Sequence, residues 1–476
     1  MPLKALPIHP VLPGADDRSY HSLRIRPISR ARRFLLGRQL RQQLPRAALG
    51  HWQPDTHRPD PVAQIIHSHE GRLASLISIR VARMAASPYG FLRGAANVMA
   101  SDLARLRTTG ITPVICGDAH LGNFGLYASP ERDLVIDLND FDEAHPGPWE
   151  WDLRRLAVSL WIAGRQSGLT ESRCSDAVMA CVGSYRQSLR FLSKQPLLWR
   201  SFQRVNVDQL NAQVKERSLR ERITQAVALA KTRTSDRSLP RYTAVKEAGR
   251  RIVDHPPLIT RVSGKSETQI AVALDNYLAT LAPHWRRVVA GYTLVDIAHK
   301  VVGVSSVGLR SYIALLEGSS PNDVLFLQLK QARRSVVARY VHGDTARHAH
   351  QGQRVVEYQQ ALQTVSDPLL GWTTVNGVPY YVRQFRDMKG AIPVDDIGPG
   401  ALQDYATILG QLLAKGHART SGASLISGYA GSSTRLDDAM RRFARAYADQ
   451  IEADYEVLVR AVARGVLPVE AAEGKT

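Results

Sequence analysis

The stretch that decides the fold is Gly117-Asp118-Ala119-His120-Leu121-Gly122-Asn123, which is followed by Asp137-Leu138-Asn139-Asp140-Phe141-Asp142-Glu143. Asp118 and Asn123 lie five positions apart in a loop punctuated by glycine, and the apolar residues 134–136 then lead into a cluster of carboxylates. Transfer of a phosphoryl group needs a carboxylate that orients or deprotonates the acceptor, and oxygen ligands that hold Mg²⁺ on the phosphates. The two motifs therefore contain the residue types that phosphoryl transfer with a bound metal ion requires.

The two motifs supply the candidate catalytic and metal-binding residues. The candidates are Asp118 and His120 for catalysis, and Asn123, Asp140 and Asp142 for Mg²⁺. A turn in which Asp118 and Asn123 only cap backbone groups is the alternative. Three aspartates within six positions argue against it, because such a density of like charge is costly without a cation. Asp137, which directly follows the apolar residues, remains an alternative metal ligand.

The candidate nucleotide-binding residues lie downstream of these motifs. They are Gly303, Ser305, Ser306 and Gly308 in a small-residue loop, Lys330 at the end of an apolar strand, and Glu357 on the following helix. Small residues allow backbone N–H groups to approach phosphate oxygens. Lys330 would contact the phosphates, and Glu357 would pair with Lys330. A plain hairpin and a solvated lysine are the alternative interpretations of these residues.

The pattern along the chain predicts an α+β protein. Helices are expected at 29–43, 91–108, 152–168, 353–363, 402–416 and 436–463, and strands at 114–116, 134–138, 301–303, 311–316, 324–330, 372–375 and 378–382. We expect residues 134–138 to form a hairpin with 114–116. Asn376-Gly377 is the strongest local hairpin signal in the chain.

Shifts of composition predict four regions. Residues 1–60 are expected to form a basic N-terminal arm, and 61–290 a helical lobe that carries the catalytic and metal loops. Residues 291–390 are strand-rich and are expected to bind the nucleotide, and 391–476 are expected to supply C-terminal helices that complete the helical lobe.

The bulk composition limits the location and the partners. No apolar run approaches the roughly 18 residues of a membrane span, no secretory signal is apparent, and the three scattered cysteines suit a reducing compartment. We therefore expect a cytoplasmic protein. The formal net charge of +19 would suit an anionic acceptor, but only 7% of the residues are aromatic, so nucleic acid is not favoured as a partner.

The loop from Gly117 to Asn123 resembles the Gly-Asp-x-His-x-x-Asn catalytic loop of the protein-kinase-like superfamily, in the form of the aminoglycoside and choline kinases. The resemblance implies an ATP- and Mg²⁺-dependent phosphotransferase that acts on an unknown small-molecule or protein acceptor. It also implies a two-lobed fold with a mostly helical large lobe and a small antiparallel-sheet lobe. It implies that Asp118 is the base, that Asn123 binds Mg²⁺, and that Asp152 is a structural residue about a dozen positions after the metal ligand, which favours Asp140. Because the catalytic loop precedes the nucleotide lobe, the chain would be a circular permutation of the usual kinase.

A second resemblance is to an uncharacterised bacterial family, domain of unknown function 2252. The matching segments are 83–88, 91–94, 117–125, 137–143, 147–153, 352–357, 367–372 and 380–384, and they span about residues 65 to 440.

Other functions remain open beside phosphate transfer. The same cleft with an inverted nucleotide would transfer AMP, and a kinase-like protein without activity would bind a nucleotide or an anionic partner. A metal-dependent phosphoesterase also uses Gly-Asp-x-His, but the chain lacks the other motifs of that class.

Overall fold

The computed structural model describes residues 28–246, 249–301, 306–341, 348–420 and 422–469. The helices are α1 Arg30–Gln43, α2 Pro61–Ser68, α3 Ile77–Ala85, α4 Pro88–Gly94, α5 Ala96–Ala104, α6 Trp149–Gln166, α7 Glu171–Leu192, α8 Leu197–Phe202, α9 Val207–Gln213, α10 Arg217–Lys231, α11 Ser235–Tyr242, α12 Lys265–Leu278, α13 Pro283–Val289, α14 Ala338–Val341, α15 Gln351–Leu362, α16 Pro399–Arg419, α17 Gly422–Ala430 and α18 Arg435–Ala463. The strands are β1 Val114–Ile115, β2 Phe124–Ala128, β3 Leu134–Leu138, β4 His145–Pro146, β5 Thr243–Lys246, β6 Gly249–Ile252, β7 Ile259–Arg261, β8 Thr293–Lys300, β9 Ser311–Glu317, β10 Val324–Gln331, β11 Gly371–Val375 and β12 Val378–Gln384. The fold is mixed α+β, as the sequence predicts.

The largest sheet has six strands in the order β11-β12-β10-β9-β8-β7, and every neighbouring pair is antiparallel. The β11–β12 turn forms at Asn376 and Gly377, which have φ values of 52° and 75°, as the Asn-Gly signal predicts. One face of the sheet packs against α12, where Ile270 and Tyr277 join a hydrophobic core with Leu327.

The sheet begins earlier in the chain than the composition predicts. β7 and α12 both precede residue 291, yet β7 is a strand of this sheet and α12 packs on it. The sequence does not predict β7, because three residues show too little alternation of polar and apolar side chains. The first long strand is β8, and not residues 301–303, of which 302 and 303 lie outside the described residues.

The helical part is built around α6, α7, α16 and α18, which share one large hydrophobic core. α16 lies along α7 so closely that a Cβ at Gly410 would be 2.1 Å from the Cys181 carbonyl oxygen. The predicted helix 29–43 is α1, and it packs on α17, where Arg41 donates to the carbonyl of Tyr429. Residues 28–60 are therefore packed on the helical core through Leu40, Leu44 and Leu49, and do not form an extended arm.

The predicted hairpin of residues 114–116 with 134–138 is wrong. β3 pairs with β2, and β1 pairs with β4. β3 pairs with β2 because β2 is nearer in sequence than β1, and residues 129–133 connect the two strands by a short turn. No helix within the described residues has both the length and the apolar character needed to cross a membrane.

Candidate active site

The loop that carries Asp118 begins directly after β1 and is anchored to α6. The Asp152 carboxylate accepts hydrogen bonds from the backbone N–H groups of Cys116 and Gly117, at 2.8 and 2.9 Å. Gly117 has a φ of 74°, and a Cβ there would lie 2.2 Å from the Glu143 carbonyl oxygen, so only glycine fits. The predicted structural role of Asp152 agrees with these contacts.

Asp118 is a buried carboxylate that retains one open side. Its Oδ1 accepts a hydrogen bond of 2.5 Å from Arg155 Nε, and the residue is 9% exposed. Burial raises the pKa of Asp118 to about 7, with the Arg155 guanidinium opposing this rise and the carboxylates of Asp140 and Glu143 adding to it. A carboxylate whose pKa lies near neutral pH is suited to accept a proton.

His120 lies beside Asp118 as a neutral imidazole. Burial lowers the pKa of His120 well below its usual range, and the guanidiniums of Arg93 and Arg155 lower it further. Nδ1 accepts from the Gly122 backbone N–H at 3.1 Å, so Nε2 carries the proton, and it lies 4.0 Å from Asp118 Oδ2. His120 is therefore placed to orient Asp118 or a group bound beside it.

Asn123 joins the Asp118 loop to the acidic segment. Its Nδ2 donates to the backbone carbonyls of Asp118 and Asp140, at 3.2 and 3.0 Å. Its Oδ1 accepts from the Asp140 backbone N–H at 2.6 Å. The buried amide thus fixes the position of Asp140 relative to Asp118.

Lys330 brings the sheet to the acidic segment. Its Nζ lies 2.5 Å from Asp142 Oδ2 and 3.9 Å from Asp140 Oδ1, although 188 residues separate it from Asp142. Tyr381 OH donates to the other oxygen of Asp142 at 2.9 Å. Burial opposes the charged ammonium, but the two carboxylates outweigh it and raise the pKa of Lys330 above its usual range.

A cavity of about 960 Å³ contains these groups, and we call it the central cavity. Its lining includes five carboxylates, Glu70, Asp118, Asp140, Asp142 and Glu143, together with arginines from α3, the segment before it and the chain after β10. Such a volume is in the usual range for a small-molecule site. The cavity is thus a candidate active site with both acidic and basic groups.

Comparison with known proteins places the chain in a family. Residues 72–461 match the family described as an uncharacterized protein conserved in bacteria, DUF2252. The chain belongs to this family. The match includes every residue of the Asp118 loop, the acidic segment and Lys330. No curated protein matches this DUF2252 chain, and no solved structure matches it.

The predicted Mg²⁺ ligands of the DUF2252 site differ in how open they are. Both Asp142 oxygens accept hydrogen bonds, and the Asn123 oxygen accepts from Asp140. The side chain of Asp140 is 44% exposed and lines the central cavity. Within the described residues, no three His, Cys, Asp or Glu side chains are grouped to hold a metal ion. The donors fit an ion such as Mg²⁺ that takes one or two carboxylates and receives its other ligands from phosphates and water.

Two sequence-based site assignments differ from the geometry. Asp137, the alternative metal ligand, is buried and pairs with Lys415, so it faces away from the central cavity. The predicted Lys330–Glu357 pair does not form, because Glu357 instead contacts His348 and Gln353, at 2.7 and 2.8 Å.

The small-residue loop is only partly described. Gly303 and Ser305 lie outside the described residues, whereas Ser306 is buried and Gly308 has a φ of 88°. The Gly308 carbonyl accepts from the Leu73 backbone N–H at 2.8 Å, so this end of the loop packs on the segment before α3.

Sequence reasoning missed Arg155, Glu143 and Tyr381 as members of the DUF2252 site. Arg154 and Arg155 interrupt an otherwise apolar helix, and a buried charge of that kind is a signal that could have been used. Glu143 accepts from the Val336 backbone N–H at 2.6 Å, and burial raises its pKa. Nothing local in the sequence marks Tyr381, which reaches Asp142 from a distant strand.

Proposed function

We propose that this chain is an ATP- and Mg²⁺-dependent phosphotransferase with a circularly permuted protein-kinase-like fold. The observation that carries the proposal is the contact of Lys330 with Asp140 and Asp142, beside Asp118 in the central cavity. In kinases, a strand lysine contacts the nucleotide phosphates, and an aspartate and an asparagine of the large lobe hold the metal ions. Lys330 and Asn123 are buried beside these carboxylates, and this combination suits a site for a nucleotide and a metal ion.

The order of elements around Lys330 supports a nucleotide-binding lobe. β8, β9 and β10 are consecutive antiparallel strands, Lys330 lies on the third, and α15 follows before the β11–β12 hairpin. Kinases also place the lysine on the third strand and a helix after it. Glu357 departs from this pattern, because its partner is His348 and not Lys330.

Asp140 would be the carboxylate of the protein that binds Mg²⁺, because its side chain is 44% exposed and faces the central cavity. Asn123 would hold Asp140 in place through its backbone. A bound Mg²⁺ would neutralise charge on the transferring phosphoryl group. Lys330 would position the phosphates.

Asp118 would act on the acceptor. The hydroxyl oxygen of the acceptor forms a bond to the γ-phosphorus, while the bond from that phosphorus to the β–γ bridging oxygen breaks and ADP leaves with the electron pair. The hydroxyl proton passes to Asp118. The guanidinium of Arg155 would hold the carboxylate in position for this transfer, and the His120 imidazole lies 4.0 Å from the other carboxylate oxygen.

The permutation is supported by the contacts of α16. Thr420, at its end, accepts from the Val114 backbone N–H at 3.2 Å, and His417 Nε2 lies 3.2 Å from Asp152 Oδ2. A helix from beyond the sheet therefore lies beside the Asp118 loop, where the usual chain order would have a helix that precedes that loop.

Calorimetry with an ATP analogue tests the proposal. The wild type should bind the analogue with Mg²⁺, and chelation of Mg²⁺ or Asp140→Ala should weaken binding at least about tenfold. Asp133→Ala is the matched control, because Asp133 lies in the turn before β3, the strand that leads to Asp140, and pairs with Arg204 on the surface. Equal affinity with and without Mg²⁺ would contradict the site. Measuring ADP or pyrophosphate from labelled ATP distinguishes phosphate transfer from AMP transfer.

A further inference from the structure

Three arginines of the central cavity converge on one turn of the chain. Arg72 Nε and Arg333 Nη1 both donate to the Ser68 carbonyl, at 3.0 and 3.2 Å, so their guanidiniums lie side by side. Arg80 Nη1 is 2.8 Å from Nε2 of His69, the residue after Ser68. All three arginines line the central cavity, and we call them the arginine triad.

The arginine triad has no carboxylate partner within the described residues, where no ion pair within 4.0 Å involves any of the three. Arg80 is 1% exposed, donates otherwise only to the Gly94 carbonyl, and has a buried Nε without a hydrogen-bond partner. Burial and the Arg333 guanidinium lower the pKa of Arg72 to about 10, and the more distant carboxylates of Glu143 and Asp142 oppose this only in part. Burying several like charges without a counter-ion is unfavourable.

The carboxylates in the same cavity are engaged elsewhere. Asp118 pairs with Arg155, Asp142 pairs with Lys330, and Glu143 accepts from a backbone N–H. Glu70 contacts His67 Nδ1 at 2.7 Å on the surface, and the nearest ammonium to the exposed Asp140 is Lys330. Among the described residues, no carboxylate therefore lies within 4.0 Å of the arginine triad as a direct counter-ion.

We propose that Arg72, Arg80 and Arg333 bind a phosphate or carboxylate group of the acceptor. This proposal rests on the phosphotransferase described above, and it names the class of acceptor: a small molecule that carries an anionic group as well as the reacting hydroxyl. Guanidinium groups match the oxygens of phosphate and carboxylate through paired hydrogen bonds. Asp118 lines the same cavity, so one molecule can bind the arginine triad and present its hydroxyl to the base.

Titration with inorganic phosphate tests this proposal without knowledge of the acceptor. In about 0.15 M chloride, which screens loose surface binding, phosphate should bind the full-length wild type saturably, and Arg72→Gln or Arg333→Gln should weaken binding at least about tenfold. Arg105→Gln is the matched control, because Arg105 lines the same cavity but pairs with Asp55 at 2.8 Å. The affinity of this variant for phosphate should stay within about twofold of the wild-type affinity. Thermal unfolding checks that each variant is folded. Arg72 and Arg333 are chosen for substitution because they are less buried than Arg80, and Arg80→Gln would disturb the packing.

A second titration separates the acceptor site from the nucleotide site. Phosphate should still bind, with the same dependence on Arg72 and Arg333, when the protein is saturated with the ATP analogue and Mg²⁺. Displacement of phosphate by the analogue would assign the arginines to the nucleotide and overturn the proposal. Absence of saturable binding below about 10 mM phosphate would also overturn it. If the analogue does not bind at all, the proposed function fails, while the phosphate titration still decides the arginine site.

Discussion

At the scale of single residues, the central question is why Asp118 is buried against an arginine. An ion pair would ordinarily keep a carboxylate ionised, yet loss of hydration and the neighbouring Asp140 and Glu143 favour the protonated form. The result is a pKa of about 7, well above the ordinary 3.8. Groups tuned in this way are typical of acid–base catalysis.

Asp118→Asn should separate catalysis from binding. The change is nearly isosteric and removes the base, while Asp140 and Lys330 stay in place, so the variant should fold and bind the ATP analogue with Mg²⁺ nearly as well as the wild type. Turnover should fall at least about 100-fold, the usual scale for loss of a general base. Labelled ATP is used to follow turnover, and Asp133→Asn serves as the control. Full activity in Asp118→Asn would show that Asp118 is not the base and only caps backbone groups in the turn.

The pH dependence of the rate should report Asp118. In the proposed reaction the ionised carboxylate is the active form, and its raised pKa means that it becomes protonated below about pH 7. We therefore expect kcat/KM to be constant above this value and to fall about tenfold per pH unit below it. The residual rate of Asp118→Asn should lack this inflection. An inflection near pH 4 in the wild type would show that Asp118 has the pKa of an ordinary carboxylate.

At the scale of elements, α6 organises the Asp118 loop. Asp152, Arg155 and Ser159 are spaced three and four residues apart and so share one face of the helix. Asp152 accepts from the loop backbone, Arg155 holds the Asp118 side chain, and the Ser159 hydroxyl accepts from the Leu121 backbone N–H at 2.9 Å. The loop is thus positioned by a rigid helix in the core.

Asp152→Ala should destabilise the protein. It leaves the backbone N–H groups of Cys116 and Gly117 buried without an acceptor and removes a partner of His417. The free energy of unfolding in urea should fall by about 3 kcal/mol. Asp133→Ala, which breaks only an exposed pair with Arg204, should lower it by less than about 1 kcal/mol. Equal stability of the two variants would show that the Asp152 contacts do not hold the loop.

Elements with strong local signals could be predicted from the sequence, whereas pairings between distant segments could not. The helices α6, α15, α16 and α18 match their predicted ranges within a few residues, because each has a sustained helical period and clear ends. The predicted helix 91–108 is divided into α4 and α5 at Ala95, which has a φ of −113° and a ψ of 38°. The partner of β1 was predicted wrongly, because a two-residue strand has no pattern that specifies pairing.

The candidate site was predictable to the extent that its residues are grouped in sequence. Asp118, Asn123 and Asp140 belong to compact motifs, and Lys330 was placed near them by the order of elements, which its 3.9 Å distance to Asp140 confirms. The partner of each group, such as Arg155 for Asp118 and His348 instead of Lys330 for Glu357, is decided by which helix face meets which loop. That choice depends on packing across the whole fold, and local sequence does not contain it.

At the scale of the whole molecule, the chain returns to the Asp118 loop from both sides. The loop lies near residue 118, the sheet delivers Lys330 and Tyr381, and α16 delivers Lys415 and His417 to Asp137 and Asp152. Three segments distant in sequence thus meet around the Asp118 loop and β3. In the proposed function, the helical part would supply the base, the sheet would supply the lysine that contacts the phosphates, and the central cavity would hold the reactants.

A crystal structure with a non-hydrolysable ATP analogue and Mg²⁺ tests the central claim most directly. We expect the triphosphate in the central cavity, with a phosphate oxygen within hydrogen-bond distance of Lys330 Nζ and Mg²⁺ bound to the Asp140 carboxylate at about 2.1 Å. The arginine triad should remain free of the nucleotide. A structure in which the analogue binds away from Lys330 and Asp140, with Asp118 remote from the γ-phosphate, would contradict the account.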